Sequence, residues 1–459
     1  MGKYRYSEVE QQINNVLLHQ AIELAEIRRP STVGMEKQIS DSEALLRSLG
    51  YGTQLSTLKN APRKSSAGSQ QKVMVVPSWE KLCLDAEKHV GGGNRLEDLF
   101  TEEELASNEL AIRQLNADYN ALHHLDKYDI AICAGAGLLG AAVNILLVGI
   151  PQRTPEGLKG GTLANYVREW FDKKFPADEM ERLANSKVGK VPYDSQDNRN
   201  TEIWVEGLST YYHRLLSLGH DPLLGLVVGV ADILTGRMTT IDKKGKIVSQ
   251  VIRNYADRKE RDIFAAIAKQ IIHFKSDITT SMGLPAPLMG LFNLLQFGSI
   301  GEEEQTIAEI VQGMYYERYD FIHFCTLSIP VMIVEVVIRI GYGIKRIKEG
   351  YSIKDSIPFS MSSEKHPKLG TMMFIGHSAA TAVNAGKVFF TKNPMAISYP
   401  QWIAFAKYSF RQLKWALIEK TEARDAYVRG VLNEELEEIF VSVGTTFAEV
   451  SAEYMVVCE

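Results

Sequence analysis

The sequence predicts a mainly α-helical protein: a helical N-terminal region, then a larger bundle of interrupted apolar segments decorated by one β-hairpin. Three observations predict this class. Val9, Ile13, Val16, Leu17, Ala21, Leu24 and Ile27 recur at three- and four-residue steps, the period of one helix face. Ile130 to Ile150 is an unbroken apolar run whose one polar side chain is Asn144. Only Met238 to Ser249 alternates with the strand period on both sides of a glycine turn, and no β-α-β pattern surrounds it.

In chain order, residues 1–52 hold two helices, about 7–28 and 39–49, the second ending at Gly50. Residues 53–72 turn polar and mildly basic around Pro62, Arg63 and Lys64 and read as a linker. In residues 73–125, Val73 to Val76 is a short strand stopped by Pro77. Thr101 and Glu104 then have capping-box spacing at the start of a helix that runs to His124. Residues 126–420 form the apolar bundle, with the hairpin near 238–249. Pro285 and Pro287 break it once, and Pro330 interrupts the long run from Phe321 to Ile344. Residues 421–459 are an acidic helical tail in which Glu434, Glu435, Glu437 and Glu438 line a solvated face.

Composition narrows the function classes. With 51 basic and 56 acidic residues the net charge is -5, so no global field attracts nucleic acid. The four cysteines are far apart in sequence and form no disulfide framework or zinc motif, which fits a reducing, intracellular setting. The polar first residues lack the apolar core of a signal peptide.

The run from Ile130 to Ile150 reaches the roughly 20 residues that span a bilayer. It also contains Gly135, Gly137 and Gly140 in G-x-G-x-x-G spacing, but without a strand-turn-helix context or an acidic partner strand no nucleotide site follows. Cys133, Gly137 and Ala141 lie four apart, as do Ala136, Gly140 and Asn144, so small faces let a second helix approach closely in lipid or in a dry core. The flanks conflict. Arg153, Lys159, Arg168, Lys173 and Lys174 follow the run and favour a cytoplasmic C-terminal flank, while the N-terminal region is expected in the cytoplasm too.

Two polar constellations stand out in apolar surroundings, where unpaired ionisable groups are costly. The first is a histidine and aspartate set in which His220, His273, Asp277 and His377 are the candidate catalytic or metal-ligating residues, with His213 and His323 nearby in type. His273 and Asp277 are four apart and share a helix face. The second is Glu335 with Arg339, also four apart, expected as a buried ion pair.

His220-Asp221-Pro222, His273 with Ser276-Asp277, Gly283 to Pro287, Phe297 to Ser299 and Gly376-His377 together resemble a family of uncharacterised bacterial proteins over about residues 125–390. The resemblance implies one structural unit and transfers no activity. The leading expectation is a membrane-associated bacterial helical protein, at the inner membrane or on its cytoplasmic face. It would act as a homo-oligomeric pore or effector regulated by its soluble region. One alternative is a soluble, cytoplasmic, metal-dependent hydrolase built on the His/Asp set; another is a non-catalytic scaffold. The expected partners are a lipid bilayer and further copies of the chain; the sequence names no cofactor.

Overall fold

The computed structural model describes residues 5–49, 51, 72–154, 157–280, 282–298 and 304–458. Nearly all of the 53–72 linker lies outside the described residues. The chain is mainly α. Its elements are α1 (Glu8–Ser48), β1 (Lys72–Val76), α2 (Trp79–Val90), α3 (Glu102–His123), α4 (Lys127–Val143), β2 (Gln152–Thr154), β3 (Gly157–Lys159), α5 (Thr162–Lys174) and α6 (Ala177–Ala184). They continue with α7 (Val228–Thr235), β4 (Arg237–Ile241), β5 (Ile247–Val251), α8 (Ile263–Asp277), α9 (Ile307–Tyr316) and α10 (Phe321–Lys348). The last are α11 (Leu369–Thr391), α12 (Tyr399–Lys414), α13 (Lys420–Glu453) and β6 (Tyr454–Cys458).

Helix starts follow side-chain capping, which satisfies amide groups that no turn of helix reaches. Ser7 with Glu10 boxes the start of α1, Asp126 with Asp129 that of α4, and Thr306 with Glu309 that of α9. At α3 the Thr101 hydroxyl accepts from the Glu104 amide at 3.2 Å, and the Glu104 carboxylate accepts from the Thr101 amide at 2.8 Å.

The chain divides into two units, residues 1–121 with 421–459, and residues 122–420. In the first, α1 meets α2 through the His19 and His89 rings, whose Nδ1 atoms are 2.7 Å apart. Parallel pairing of β1 with β6 brings the acidic tail into the same unit as the N-terminal helices.

In the second unit α4, α10, α11 and α12 form a four-helix bundle with alternating direction set by specific contacts. Asp129 meets Lys368 at 3.6 Å and Asn144 meets Lys387 at 3.0 Å, so α4 and α11 run parallel. Asp129 also meets Lys345 at 2.7 Å near the end of α10, which is therefore antiparallel to α4. Thr371 meets Gln412, and Gln401 meets His377 and Thr381, so α12 returns antiparallel to α11. Cys133, Ala136, Gly137, Gly140, Ala141 and Asn144 are all buried on the packed face of α4. The helix ends in a wide π-turn, Asn144–Val148, where the Lys387 ammonium donates to the Asn144 side chain and, at 2.9 Å, to the Gly149 carbonyl.

Close approach explains the glycines. A Cβ at Gly137 would lie 2.5 Å from the Gly376 carbonyl oxygen and 2.8 Å from the Ala379 Cβ, both on the neighbouring helix, whereas a Cβ at Gly135 meets nothing within 4 Å. Gly137→Ala is therefore expected to destabilise the fold by about 1–3 kcal/mol through overpacking. Gly135→Ala should be neutral or stabilising by up to about 1 kcal/mol from helix propensity. Parallel unfolding curves of the two variants check this; equal stabilities would show that the interface yields.

Glu335 and Arg339 do not pair with each other as expected. Their helix turn points them to different neighbours: Glu335 accepts from the Tyr408 hydroxyl at 2.6 Å, and Arg339 donates to the Pro358 carbonyl. Tertiary packing supplies better geometry than the flexible four-residue spacing.

Residues 149–320 connect α4 to α10 and contribute to two apolar cores, one joining Leu215, Met289, Tyr315 and Tyr319 to Val148, Leu327 of α10 and Met395, the other built on Tyr193, Leu216, Ile233 and Met238. The expected hairpin is β4 with β5, in register from Arg237 with Val251 to Ile241 with Ile247. Its turn is closed by the Asp242 carboxylate, which accepts from the amides of Lys244 and Lys246 at 2.9 Å, and by Gly245 at φ +79°.

Asp232, on α7, accepts from the Thr239 amide and hydroxyl at 2.8 Å and ties that helix to β4. Burial pushes its carboxyl up to about 6, with the Thr239 bonds pulling the other way. The unfolded chain then loses this proton first, near 3.8. Stability contributed by the group is thus present at low pH and lost as pH rises from about 4 to about 6, by an amount on the order of 3 kcal/mol. Asp232→Asn is expected to flatten the pH dependence of denaturant unfolding in that window; an unchanged slope would refute the assignment.

Candidate metal centre

Five side chains from four places in residues 149–320 converge on one buried point. His273 and Asp277 lie one turn apart on α8. His213 opens a single helical turn, His213–Leu216, and His220 closes the next, Leu218–His220. Asp194 comes from the loop before them. His213 Nε2 is 3.2 Å from Asp194 Oδ1, and His220 Nε2 is 3.5 Å from the same oxygen. His220 Nε2 is also 3.6 Å from Asp277 Oδ2, which is 3.4 Å from His273 Nε2. His220 is thus shared by two triads of possible metal ligands, Asp194/His213/His220 and His220/His273/Asp277.

The outer atoms of these rings are committed. His213 Nδ1 is 2.9 Å from the Thr210 carbonyl and His273 Nδ1 is 2.8 Å from the Gly189 carbonyl. A carbonyl oxygen only accepts, so each Nδ1 carries the proton and each Nε2 turns inward. The Asp277 Oδ1 is held at 3.1 Å by the Arg214 guanidinium, itself bonded to the Thr280 hydroxyl at 2.7 Å, which leaves Oδ2 free.

The inward atoms are without hydrogen-bond donors. Asp194 Oδ1, His213 Nε2, both nitrogens of His220, His273 Nε2 and Asp277 Oδ2 are buried and unsatisfied. Lone pairs crowd this point, and a cation between them would satisfy them. Protons serve poorly, because imidazolium rings with centroids 5.1 and 5.4 Å apart would repel one another in a buried site. Burial drives the His220 imidazole down to about 4, so at neutral pH it offers a lone pair.

The spacing suits a metal. Ligand atoms about 2.0–2.2 Å from one tetrahedral ion lie about 3.3–3.6 Å from one another; the four histidine-to-carboxylate separations run from 3.2 to 3.6 Å, and all ligand atoms of each triad lie within 4.8 Å of one another. Two carboxylates face one guanidinium here, so a divalent ion also balances the buried charge. Imidazoles with carboxylates suit a first-row transition ion rather than magnesium or calcium.

Packing holds the centre rigid. The Tyr193 ring stands edge-on to His220 and lies against Gly219, where any Cβ would come within 2.5 Å of it. Its hydroxyl donates to the Gln270 side chain, whose amide donates at 2.8 Å to the Gly219 carbonyl. Asp221 takes no part in the centre: its carboxylate accepts from the Leu223, Leu224 and Leu288 amides and pins the loop.

Of the four residues singled out in the sequence, the fold unites His220, His273 and Asp277. His377 does not join them. It lies on α11 inside the bundle, stacked on Tyr408 with ring centroids 4.9 Å apart, and its Nδ1 accepts from Gln401 at 3.2 Å. The reason is topological: α11 packs against α4, α10 and α12 around the core of Cys133, Val334, Met372 and Tyr408, which the metal-centre residues do not enter. Asp194 was missed, since nothing in the polar loop from Pro192 to Arg199 marks it, and His213 had no sequence partner to single it out. No protein-family model, no curated protein and no solved structure matches the chain.

Proposed function

We propose that this chain is a metal-dependent hydrolase whose helical bundle is embedded in a lipid bilayer. The observation that carries the enzymatic part is the convergence of donor-less nitrogen and carboxylate atoms at metal-ligand spacing. When bound, the ion would lower the pKa of a coordinated water and polarise a substrate oxygen. His220, His273 and Asp277 hold the ion in this reading, with His213 beside His220 and Asp194. Asp194, whose side chain is 27% exposed against 0–3% for the others, is on the open side and takes a proton from the attacking water. Arg214 supplies positive charge beside the centre, where negative charge develops in hydrolysis.

The bilayer part draws on the outer faces of α4 and α10. Two helical stretches, within Glu102–Val148 and Phe321–Lys348, are long and apolar enough to cross a membrane. Between Ile130 and Leu147 every exposed side chain of α4 and its π-turn is apolar, and α10 exposes Met332, Val336, Ile340, Ile344 and Ile347 in one stripe. The outer side of α12 carries Lys407, Arg411 and Lys414, so the lipid-facing side is that of α4 and α10. The bundle interior is packed around Cys133, Val334, Ile338 and Met372 and supports no pore through a single chain.

Elemental analysis of protein purified without chelator tests the first part, with about one transition-metal ion per chain expected, alongside turnover on a panel of phosphoesters, carboxylic esters and amides. Asp194→Asn is expected to keep the metal and lose turnover by about 100-fold or more. A well-folded protein that takes up no zinc, manganese, iron or cobalt sinks the proposal. Fractionation tests the second part: full-length protein monodisperse in a high-speed supernatant without detergent removes the bilayer.

A further inference from the structure

The two ends of the bundle differ in charge, and the difference bears on which compartment the metal centre faces. At one end α10 finishes and α11 begins, joined by the short connection 349–368. The last turn of α10 carries Lys345, Arg346 and Lys348, and the connection carries Lys354, Lys365 and Lys368. Lys345 and Lys368 pair with the buried Asp129, and Arg346 stacks on Tyr351 at 3.8 Å. The opposite end has one short connection, 392–398, whose only basic residue is Lys392. Its other connection is the whole folded region 149–320, which carries the metal centre.

Lys and Arg in short connections hold to the cytoplasmic side, where the membrane potential and anionic lipids favour positive charge, whereas long folded connections cross largely regardless of their charge. The conflict seen along the sequence disappears on this basis. Arg153, Lys159, Arg168, Lys173 and Lys174 belong to the long folded connection, so their bias does not count. α4 and its π-turn together span about 33 Å, enough to cross the hydrocarbon core.

We infer that the bundle inserts with the α10–α11 turn-around in the cytoplasm, so that residues 149–320 and their metal centre face the non-cytoplasmic side. This rests on the bilayer reading above. It agrees with an independent feature: none of the four cysteines falls in residues 149–320, a region that would meet an oxidising compartment. The centre would then draw its ion and substrate from outside the cytoplasm.

Labelling of cysteines introduced singly into a chain whose four native cysteines are replaced by serine, in intact cells of a bacterial host with a membrane-impermeant maleimide, tests the orientation; the cysteine-free chain is the blank. Lys244→Cys sits at the exposed hairpin turn of the metal-bearing region, and Glu364→Cys on the exposed α10–α11 connection. The expected result is labelling of Lys244→Cys in intact cells and of Glu364→Cys only after permeabilisation. The reverse pattern, with the protein in the membrane fraction, overturns the orientation and leaves the bilayer reading intact. Protection of both sites with the protein in the soluble fraction overturns the bilayer reading and this inference with it. Exchanging Lys354 and Lys365 for glutamine should increase the fraction of inverted molecules; no change in that fraction, with the orientation as inferred, counts against charge as its cause.

Discussion

His220→Ala is expected to abolish stoichiometric metal binding, weakening affinity for a first-row divalent ion by at least about 100-fold. His220 has the largest effect because its Nε2 faces both carboxylates, at 3.5 Å to Asp194 and 3.6 Å to Asp277, so both ligand triads lose their shared member at once. The imidazole is fully buried and its two ring nitrogens have no hydrogen-bond donor, so removing it leaves no unsatisfied partner behind. The metal-free variant should therefore fold about as well as metal-free wild type, losing mainly packing against Tyr193. Calorimetric titration with zinc or manganese, with unfolding curves in chelator as the fold control, reads the effect. Undiminished binding by a folded His220→Ala protein would remove the centre as drawn.

Arg214→Gln is expected to cost about 3–5 kcal/mol in the metal-free protein, the usual penalty for stranding one member of a buried ion pair. Asp277 is 1% exposed and Arg214 11%, and among the described residues the guanidinium is the only basic group within 4 Å of that carboxylate besides the imidazoles. The two effects can be separated. A divalent ion supplies the positive charge that the variant lacks, so saturating metal should recover part of the lost stability in Arg214→Gln, beyond the gain seen in wild type. Thermal unfolding with and without metal checks both halves, and a variant as stable as wild type in chelator would show that Asp277 is not held as a charged group.

How much of this centre was legible in advance follows from what periodicity can carry. His273 and Asp277 share a helix face at a spacing that any helix enforces, so their pairing could be read directly from the chain. His220 stood out as an ionisable residue beside apolar segments, where burial requires a partner. Asp194 lies in an irregular loop with no repeating pattern, and its approach to His213 depends on how Tyr193 packs against Gly219. His377 had the same sequence signature as His220, a histidine in an apolar run, yet its partners are Gln401 and Tyr408. The Glu335 and Arg339 spacing permitted a pair, but the Tyr408 hydroxyl and the Pro358 carbonyl offered each a better-placed partner.

By itself the sequence determined the helical class, the hairpin, the capping box at Thr101 and Glu104 and the small-residue face of the Ile130 to Ile150 helix. All of these are local: they depend on side-chain period, turn chemistry and size within one segment. Tertiary structure alone decided that residues 149–320 share a core with the ends of the bundle helices, that the acidic tail pairs with Lys72 to Val76, and which histidines meet. These depend on contacts across tens to hundreds of residues, where burial of a polar atom is settled by the shape around it and leaves no period in the chain.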